Sequence, residues 1–591
     1  MTTATTVPSR VLQDALDRAS LQHLMKALRE SEKTLSASAP AVRVHVLRNH
    51  TLDNMRWFLE AAGHCAGLRV DYSQGGYSTA EQEVLDPENE VYARAPEAVI
   101  LSLMLENLIS GYDFSVEEVL ARITRLIDAL QARSAPLIFC NTFLLPADNV
   151  SGAAWSSLPG SLDHRVRELN GALIKLFQDR KNVFLLDWNH LEQRVGQAQS
   201  RSPRMWFMAK ALLTDRFLKE YAVEVIKLLR AYKGKAKKCL VLDCDNTLWG
   251  GVVGEDGMDG IKLDPFDYPG NVFYAFQKNV VALVSRGVMI ALCSKNNPED
   301  VWEVLDRHPH CLLKKPHLSA WAVNWDNKAE NVARLAAELN IGTDSMVFVD
   351  DSPMECESVS AALPEVEVLP VPKDIFHLPG LVLKDGLFDA LAVSAEDAGR
   401  TEMMISEKKR KAESLQYQDV EAFQRSLELA ATVGRATPKE LPRAAQLTQK
   451  TNQFNLTTRR YSESELEDMV GREKADIVWM QVKDRFGDYG LVGLAVVRYA
   501  QDEAMIDTFL LSCRVLGRKA EDVLLSALLR MVWDKGIRRV GGEYIPTAKN
   551  AQTRDFYPSR GFSSEGEGKF RLELSARPEF PDIYREVVGP A

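Results

Sequence analysis

The 591-residue sequence contains no uncharged apolar run of about twenty residues, the length that crosses a bilayer. No membrane span is expected from it, and the opening MTTATTVPSRVLQDALDRAS lacks the apolar core of a signal peptide. Cysteine is scarce: eight residues, no CxxC pair, and most of them inside apolar runs. That speaks against a disulfide framework and leaves free thiols, as in a reducing cytoplasm. Positive charge is not in excess either. With 72 Lys and Arg against 82 Asp and Glu, the formal charge is −10, so no domain-wide basic field speaks for nucleic acid. Internal repeats and low-complexity tracts are absent as well.

What is present is an ordinary globular composition, 46% hydrophobic and 26% charged, in a chain too long for one core. Three domains are expected, at 1–232, 233–390 and 391–591. Residues 10–35 have helical spacing, with Leu12, Leu16, Leu21, Leu24 and Leu28 on one face. Strand-like runs VRVHVL, EAVILSLML, APLIFCNTF and NVFLLDW then alternate with helical segments, which predicts an α/β domain with a parallel sheet. A second α/β domain is expected around CLVLDCD, VMIALCS and SMVFVDD. The charged stretch AEDAGRTEMMISEKKRKAES reads as a solvated linker helix. The remainder reads as an α+β domain, with two strands flanking a turn at Gly487 to Gly490 and a long amphipathic helix following a glycine-bearing loop. The fold class is therefore multidomain α/β with a C-terminal α+β part.

The stretch LVLDCDNTLWGGVVGEDG places two aspartates, one cysteine apart, where a strand becomes a loop. In open α/β sheets ligands bind beyond the carboxyl ends of the strands, so the polar ends of the three runs should converge. Phosphoryl transfer through an aspartate needs a carboxylate nucleophile, a second carboxylate as acid and base, Mg²⁺, and a cation with donors for the phosphoryl oxygens. DCDNT resembles the first motif of the haloacid dehalogenase (HAD) superfamily, with Asp243 as nucleophile and Asp245 as acid and base. Ser294 matches the second motif and Lys328, in NWDNKAEN, the third. VFVDDSP matches the acidic fourth, where Asp350 and Asp351 would join Asp243 and Asp245 at the metal. Roughly fifty residues separate Asp245 from Ser294, which the intervening helix already needs, so no large cap domain is expected.

Over about residues 235–565, DCDNTLWGGVVGEDG with NWDNKAEN, VFVDDSP, QLTQKTNQFNLTTRRY and DRFGDYGLVG resembles the FkbH-like family of that superfamily. The resemblance implies an enzyme that takes a glyceryl group from 1,3-bisphosphoglycerate, removes phosphate, and loads the acyl group on the phosphopantetheine thiol of an acyl carrier protein for polyketide assembly. Under it Cys244 has two readings: a thioester carrier of the glyceryl group, or a small residue packed in the core. A plain Mg²⁺-dependent phosphatase and an acyl-CoA transferase are the alternatives, and a scaffold with decayed motifs conflicts with the intact set.

Further candidates lie outside these motifs. Trp249-Gly250-Gly251 forms either an anion-binding turn or a tight packed one, and Lys314, Lys315 and His317 offer a second phosphate contact or a solvated loop. The C-terminal part resembles the GNAT acetyltransferase fold. RVLGRKAE supplies Arg514, Gly517 and Lys519 before a helix, and NAQTRDFYPSRGF supplies Asn550 and Tyr557, although Arg518 replaces a loop glycine. That resemblance implies docking of a pantetheine arm, with the TQKTNQFNLTTRRY segment at the domain junction. The N-terminal domain is distantly similar to an SGNH-hydrolase fold. Its first strand ends in LRNHT with no serine nucleophile, so His50, Thr51, Asn141, Asp187 and His190 assemble no complete triad and the domain reads as non-catalytic.

Overall fold

The computed structural model describes residues 7–18, 20–31, 41–111, 114–133, 136–148, 158–178, 180–390, 410, 413, 417, 419–471, 475–500, 502–547 and 549–589. The predicted linker helix AEDAGRTEMMISEKKRKAES lies, but for Arg410 and Glu413, outside them. The chain divides into two compact units, Met1–Lys233 and Gly234–Ala591.

The first unit opens with helices Val7–Asp17 and Leu21–Ser31, so the single leucine-spaced segment is two helices. Its sheet is parallel in the order β2-β1-β3-β4-β5, from β1 (Ala41–Arg48), β2 (Arg69–Tyr77), β3 (Ala98–Ser102), β4 (Leu137–Asn141) and β5 (Val183–Leu186). Successive strand residues point to opposite faces. Val42, Val44 and Val46 of β1 and Ile100 of β3 therefore enter one core, while Val99 and Leu101 of β3 and Ile138 of β4 enter the other.

The second unit holds two sheets. One is parallel in the order β10-β9-β6-β7-β8, from β6 (Cys239–Leu242), β7 (Met289–Ser294), β8 (Leu318–Val323), β9 (Met346–Asp350) and β10 (Glu367–Pro370). Alternation again feeds two cores: Leu240 and Leu242 pack on one face, Cys239 and Val241 on the other. Between β6 and β7 stand only the short helix Val253–Asp256 and the helix Gly270–Ser285, so among the described residues no separate domain is inserted there.

The other sheet is mostly antiparallel, from β11 (Ala430–Arg435), β12 (Ala475–Asp484), β13 (Gly487–Ala500), β14 (Glu503–Leu511), β15 (Arg539–Glu543), β16 (Ser563–Gly566), β17 (Lys569–Glu573) and β18 (Glu586–Val588). The hairpin between β12 and β13 turns earlier than expected. The Asp484 carboxylate accepts the amides of Phe486 and Gly487 at 2.9 and 3.1 Å and closes a two-residue loop, leaving Gly490 inside β13. Strands β14 and β15 pair in parallel only from Glu503 to Ile506. Beyond that, the chain itself occupies the free edge. Leu456 N–H donates to the Phe509 carbonyl, Leu511 N–H to the Phe454 carbonyl, and Ile545 N–H to the Leu456 carbonyl.

One buried polar contact stabilises the first unit. Asn141, at the end of β4, accepts from Leu103 N–H at 2.9 Å and donates to the Leu103 carbonyl at 2.9 Å. Asn141→Ala strands both backbone groups and is expected to cost about 2–4 kcal/mol. Urea unfolding checks this, and an unchanged midpoint would refute it.

Candidate active site

Three strand ends in the parallel sheet of the second unit form the site. Strand β6 leads into Asp243, β7 ends in Ser294, and β9 ends in Asp350, with β6 lying between the other two. The fourth element comes from the loop after β8, where Asn327 caps the helix Lys328–Glu338 by accepting the amides of Ala329 and Glu330. That cap fixes Lys328 in the first turn, with its ammonium aimed back at the sheet. Lys328 Nζ lies 2.8 Å from Asp243 Oδ1 and 2.6 Å from Asp350 Oδ2, and all three side chains are buried. Asp350 Oδ1 is held by the Ser352 amide at 2.9 Å.

Burial, reinforced by Asp350, pushes the Asp243 carboxyl up to about 6 against the pull of Lys328. Burial and the charge of Asp243 likewise raise Asp351. Carboxyl oxygens of Asp243, Asp350 and Asp351 lie within 4.8 Å of one another. Three carboxylates facing one ammonium leave two negative charges, which matches a divalent cation, and an all-oxygen donor set suits Mg²⁺. The residues present therefore fit the ion.

Asp245, expected among the metal ligands, is not in this group. Its Oδ1 accepts from Trp249 Nε1 at 2.9 Å and the Val253 amide at 3.0 Å, and its Oδ2 from Asn296 Nδ2 at 2.9 Å. These donors hold the Asp245 carboxyl group in place after the nucleophile in the chain, which leaves the acid and base role open to it. Asn296 also reaches the Ser294 hydroxyl at 3.2 Å. The sequence reading missed Asn296, although its place two residues after Ser294 at a strand end was the available signal.

Of the two readings of Cys244, the geometry favours the packed one. The cysteine is fully buried among Leu240, Leu242 and Leu248. Burial, then the charge of Asp243, pushes its thiol well above the ordinary range. The alternation of the strand continues past its end, so the cysteine points into the core while its neighbours do not.

The Trp249-Gly250-Gly251 turn is a packed one. Trp249 is fully buried, the Gly251 amide is taken by Asn246 Oδ1 at 2.9 Å, and a β-carbon on Gly250 would sit 2.7 Å from the Phe273 ring. Lys314, Lys315 and His317 precede β8 and so stand at the end of the sheet opposite Asp243. There Lys315 Nζ lies 4.8 Å from the Trp302 ring centroid and His317 Nδ1 accepts the Lys314 amide. The mouth of the site carries exposed apolar side chains, Trp325 (69% exposed) after β8 and Met354 (72%) after β9.

The C-terminal candidates are not gathered into one site. Arg514 donates to the Ser512 hydroxyl and, at 2.9 Å, to the Tyr489 carbonyl. The Gly517 carbonyl accepts from Gln424 at 2.6 Å, and Lys519, in the left-handed conformation, precedes the helix Ala520–Asp534. Two expectations are corrected. Asn550 is fully buried and committed to the Asn455 and Ile545 carbonyls and the Thr547 amide, and Tyr557 is a core residue with rings of Phe556, Phe562 and Phe570 around it. The edge of β14 along which an extended arm would lie is occupied by residues 454–456.

In the first unit the polar strand-end residues serve the fold. Buried His50 pairs with the Ser102 hydroxyl at 3.0 Å, the Thr51 hydroxyl donates to the Ala209 carbonyl, and Asp187 caps the helix Trp188–Val195, which accounts for the DxxH spacing to exposed His190.

Comparison with known proteins agrees with this geometry. Residues 43–230 match the family model described as FkbH, N-terminal domain. The crystal structure of the N-terminal part of the protein BF1531 from Bacteroides fragilis, containing a phosphatase domain complexed with Mg, is 26% identical, with a TM-score of 0.57. The match covers 63% of this chain and 99% of that one. Shorter acetyltransferases also match. The ribosomal-protein-S18-alanine N-acetyltransferase from Escherichia coli is 19% identical over 25% of this chain and 97% of its own, with a TM-score of 0.20. A putative GNAT-family acetyltransferase from Desulfovibrio desulfuricans is 18% identical over 24% and 98%, with a TM-score of 0.21. No curated protein matches. Residues 43–230 are thus FkbH-like, and over about 63% of its length the chain shares the fold of a protein that contains a phosphatase domain.

The acidic group predicts its own metal response. Mg²⁺ is expected to raise the thermal midpoint of the wild-type protein, and Asp351→Asn to weaken the apparent affinity roughly tenfold or more, whereas Asp245→Asn leaves it within about twofold. Thermal shift against MgCl₂ reads this, and equal losses in both variants would contradict the assignment.

Proposed function

We propose that this FkbH-like chain is a phosphatase and glyceryltransferase. It takes the glyceryl group of 1,3-bisphosphoglycerate, removes its remaining phosphate, and leaves it as a thioester on the phosphopantetheine arm of an acyl carrier protein. The observation that carries the reading is the Asp243–Lys328–Asp350 constellation at an uncapped strand-end site, together with the FkbH-like resemblance.

The acyl phosphate is an activated carboxyl. The carrier's thiol sulfur attacks C1, a C–S bond forms, the C–O bond to phosphate breaks, and the thiol proton leaves with the phosphate. At the other end of the substrate an Asp243 oxygen attacks the 3-phosphate, and the P–O bond to the glyceryl oxygen breaks as Asp245 protonates that oxygen. Water then attacks the aspartyl phosphate and Asp245 takes its proton, which returns both carboxylates to their first state. Lys328 offsets charge between the nucleophile and the phosphoryl group, and Ser294 offers it a hydroxyl. Mg²⁺, held by Asp243, Asp350 and Asp351, would neutralise the phosphoryl oxygens.

With Cys244 in the core, the thioester forms directly on the carrier and not on the enzyme. Two observations support a macromolecular substrate: among the described residues no domain is inserted between β6 and β7, and Trp325 and Met354 give the mouth of the site an apolar rim. The self-occupied edge of β14 weighs against acyl-CoA transfer in the C-terminal part. We place the reaction in the reducing cytoplasm, in keeping with eight free cysteines.

Intact-protein mass spectrometry tests this with Mg²⁺, freshly generated 1,3-bisphosphoglycerate and a holo acyl carrier protein. Wild type and Cys244→Ala should both add a glyceryl-sized mass to the carrier. Asp243→Asn should leave a phosphoglyceryl mass or none. Phosphate release with no mass gained by the carrier would replace this reading with a plain phosphatase. A further expectation concerns the rim: Trp325→Ala should raise the KM for the carrier about fivefold or more while hydrolysis of a small aryl phosphate changes less than twofold. Equal losses on both substrates would place Trp325 in the chemistry instead.

A further inference from the structure

The parallel strands of the second unit present two ends, and the proposed reaction uses the carboxyl end. At the other, Lys238 stands immediately before β6, Met289 opens β7 and Ser345 stands immediately before β9. These residues form one wall of a cleft of about 370 Å³, and residues Lys450–Phe454 and Leu511–Arg514 of the C-terminal part form the facing wall. The four residues of β6 lie between Lys238 and Asp243, so five steps of extended chain, roughly 17 Å at strand rise, separate the two. The cleft is therefore not part of the phosphoryl-transfer site.

Its lining is specific in charge. Basic residues number five (Lys238, Arg443, Lys450, Arg514 and Lys549) against two acidic ones, Asp344 and Glu365. Asp344 is bonded to Lys549, and the Glu365 carboxylate accepts the Thr343 hydroxyl at 2.8 Å. This occurs in a chain whose net charge is −10, so the concentration of positive charge is local. A concave wall with a surplus of one sign favours a ligand of the opposite sign. Between the charges lie apolar surfaces from Leu339, Ile341, Leu447 and Phe454, and amide donors from Asn340, Asn452 and Gln453. The volume lies within the range of small-molecule sites, which combine such apolar walls with a few fixed polar groups.

We infer that this cleft binds an organic phosphate, with the phosphate among the basic side chains and the carbon body against Leu447 and Phe454. The site is independent of the activity proposed above and holds a second molecule rather than the reacting one.

The wall contains its own reporter. Cys513 lines the cleft and is partly exposed, and Cys65, in the first unit, is the only other cysteine that is not buried. Alkylation of the full-length protein with iodoacetamide, followed by peptide mass spectrometry, gives the labelling rate at each thiol. ADP, 3-phosphoglycerate and 4′-phosphopantothenate are the probes, with inorganic phosphate as the control for a bare anion and EDTA present to silence the metal site. At about ten times its dissociation constant a bound ligand should slow Cys513 labelling about tenfold and leave Cys65 unchanged. Lys450→Met should lose the protection and Lys450→Arg should keep it, while both hydrolyse an aryl phosphate as wild type does, which shows that they are folded. Protection by none of the three organic phosphates at millimolar concentration would overturn the inference. So would equal protection by inorganic phosphate, or protection that survives Lys450→Met.

Discussion

A single ammonium group, held between two buried carboxylates from adjacent strands, is the constraint on which the catalytic end of the sheet depends. Asp243 and Asp350 end β6 and β9, neighbours in the sheet, and without a cation between them their charges would repel at short range in a poorly solvated place. Lys328 stands in the first turn of its helix, where the macrodipole disfavours positive charge. The two carboxylates outweigh that disadvantage, and the Asn327 cap supplies the helix start that the lysine itself cannot. Each of the three charges is thus tolerable only because the other two are present, and removing one from such a buried set costs about 3–5 kcal/mol. Asp351, adjoining this set, turns a nearly balanced group into one with charge left over for a divalent ion.

The same end shows why the nucleophile and the acid are separated by a cysteine. With side chains alternating along β6, Leu240 and Leu242 enter one core and Cys244 continues their series. Asp243 is thereby directed to the strand-end crevice, and Asp245, beyond the strand, turns to Trp249 and Asn296. A small apolar residue is what the middle position requires, and cysteine meets that need as a hydrophobe. Its chemistry is suppressed by the burial that makes it useful for packing.

The parts legible in the sequence were those in which one physical requirement dominated. Central strands β1, β3, β4, β6, β7 and β9 are buried on both faces and read as apolar runs. Edge strands β2 and β10 were not read. RVDYSQGGY and EVLP are largely exposed, and what makes them strands is pairing with β1 and β9, which no local pattern records. Asp243, Ser294, Lys328 and Asp350 were legible because each sits at a strand end or helix start with few other reasons to be there. Asn550 and Tyr557 misled because a motif preserves residue types whether they face a ligand or the core. Only the packing of Asn550 against residues 455 and 545, and of Tyr557 within an aromatic cluster, distinguishes the two cases.

The occupied edge of β14 bears on how the two sheets of the second unit divide their work. A strand pair that separates halfway along leaves backbone donors and acceptors that must be satisfied from somewhere. Here residues 454–456 supply them from within the chain, and the same segment carries Phe454 and its neighbours to the cleft on the basic side of the parallel sheet. One run of residues therefore closes the slot inside the C-terminal part and builds a wall outside it. The parallel sheet has electrostatically opposite ends, carboxylates around Lys328 at one and basic side chains at the other. The two ends suit different occupants: carboxylates favour a cation, and a surplus of basic side chains favours an anion.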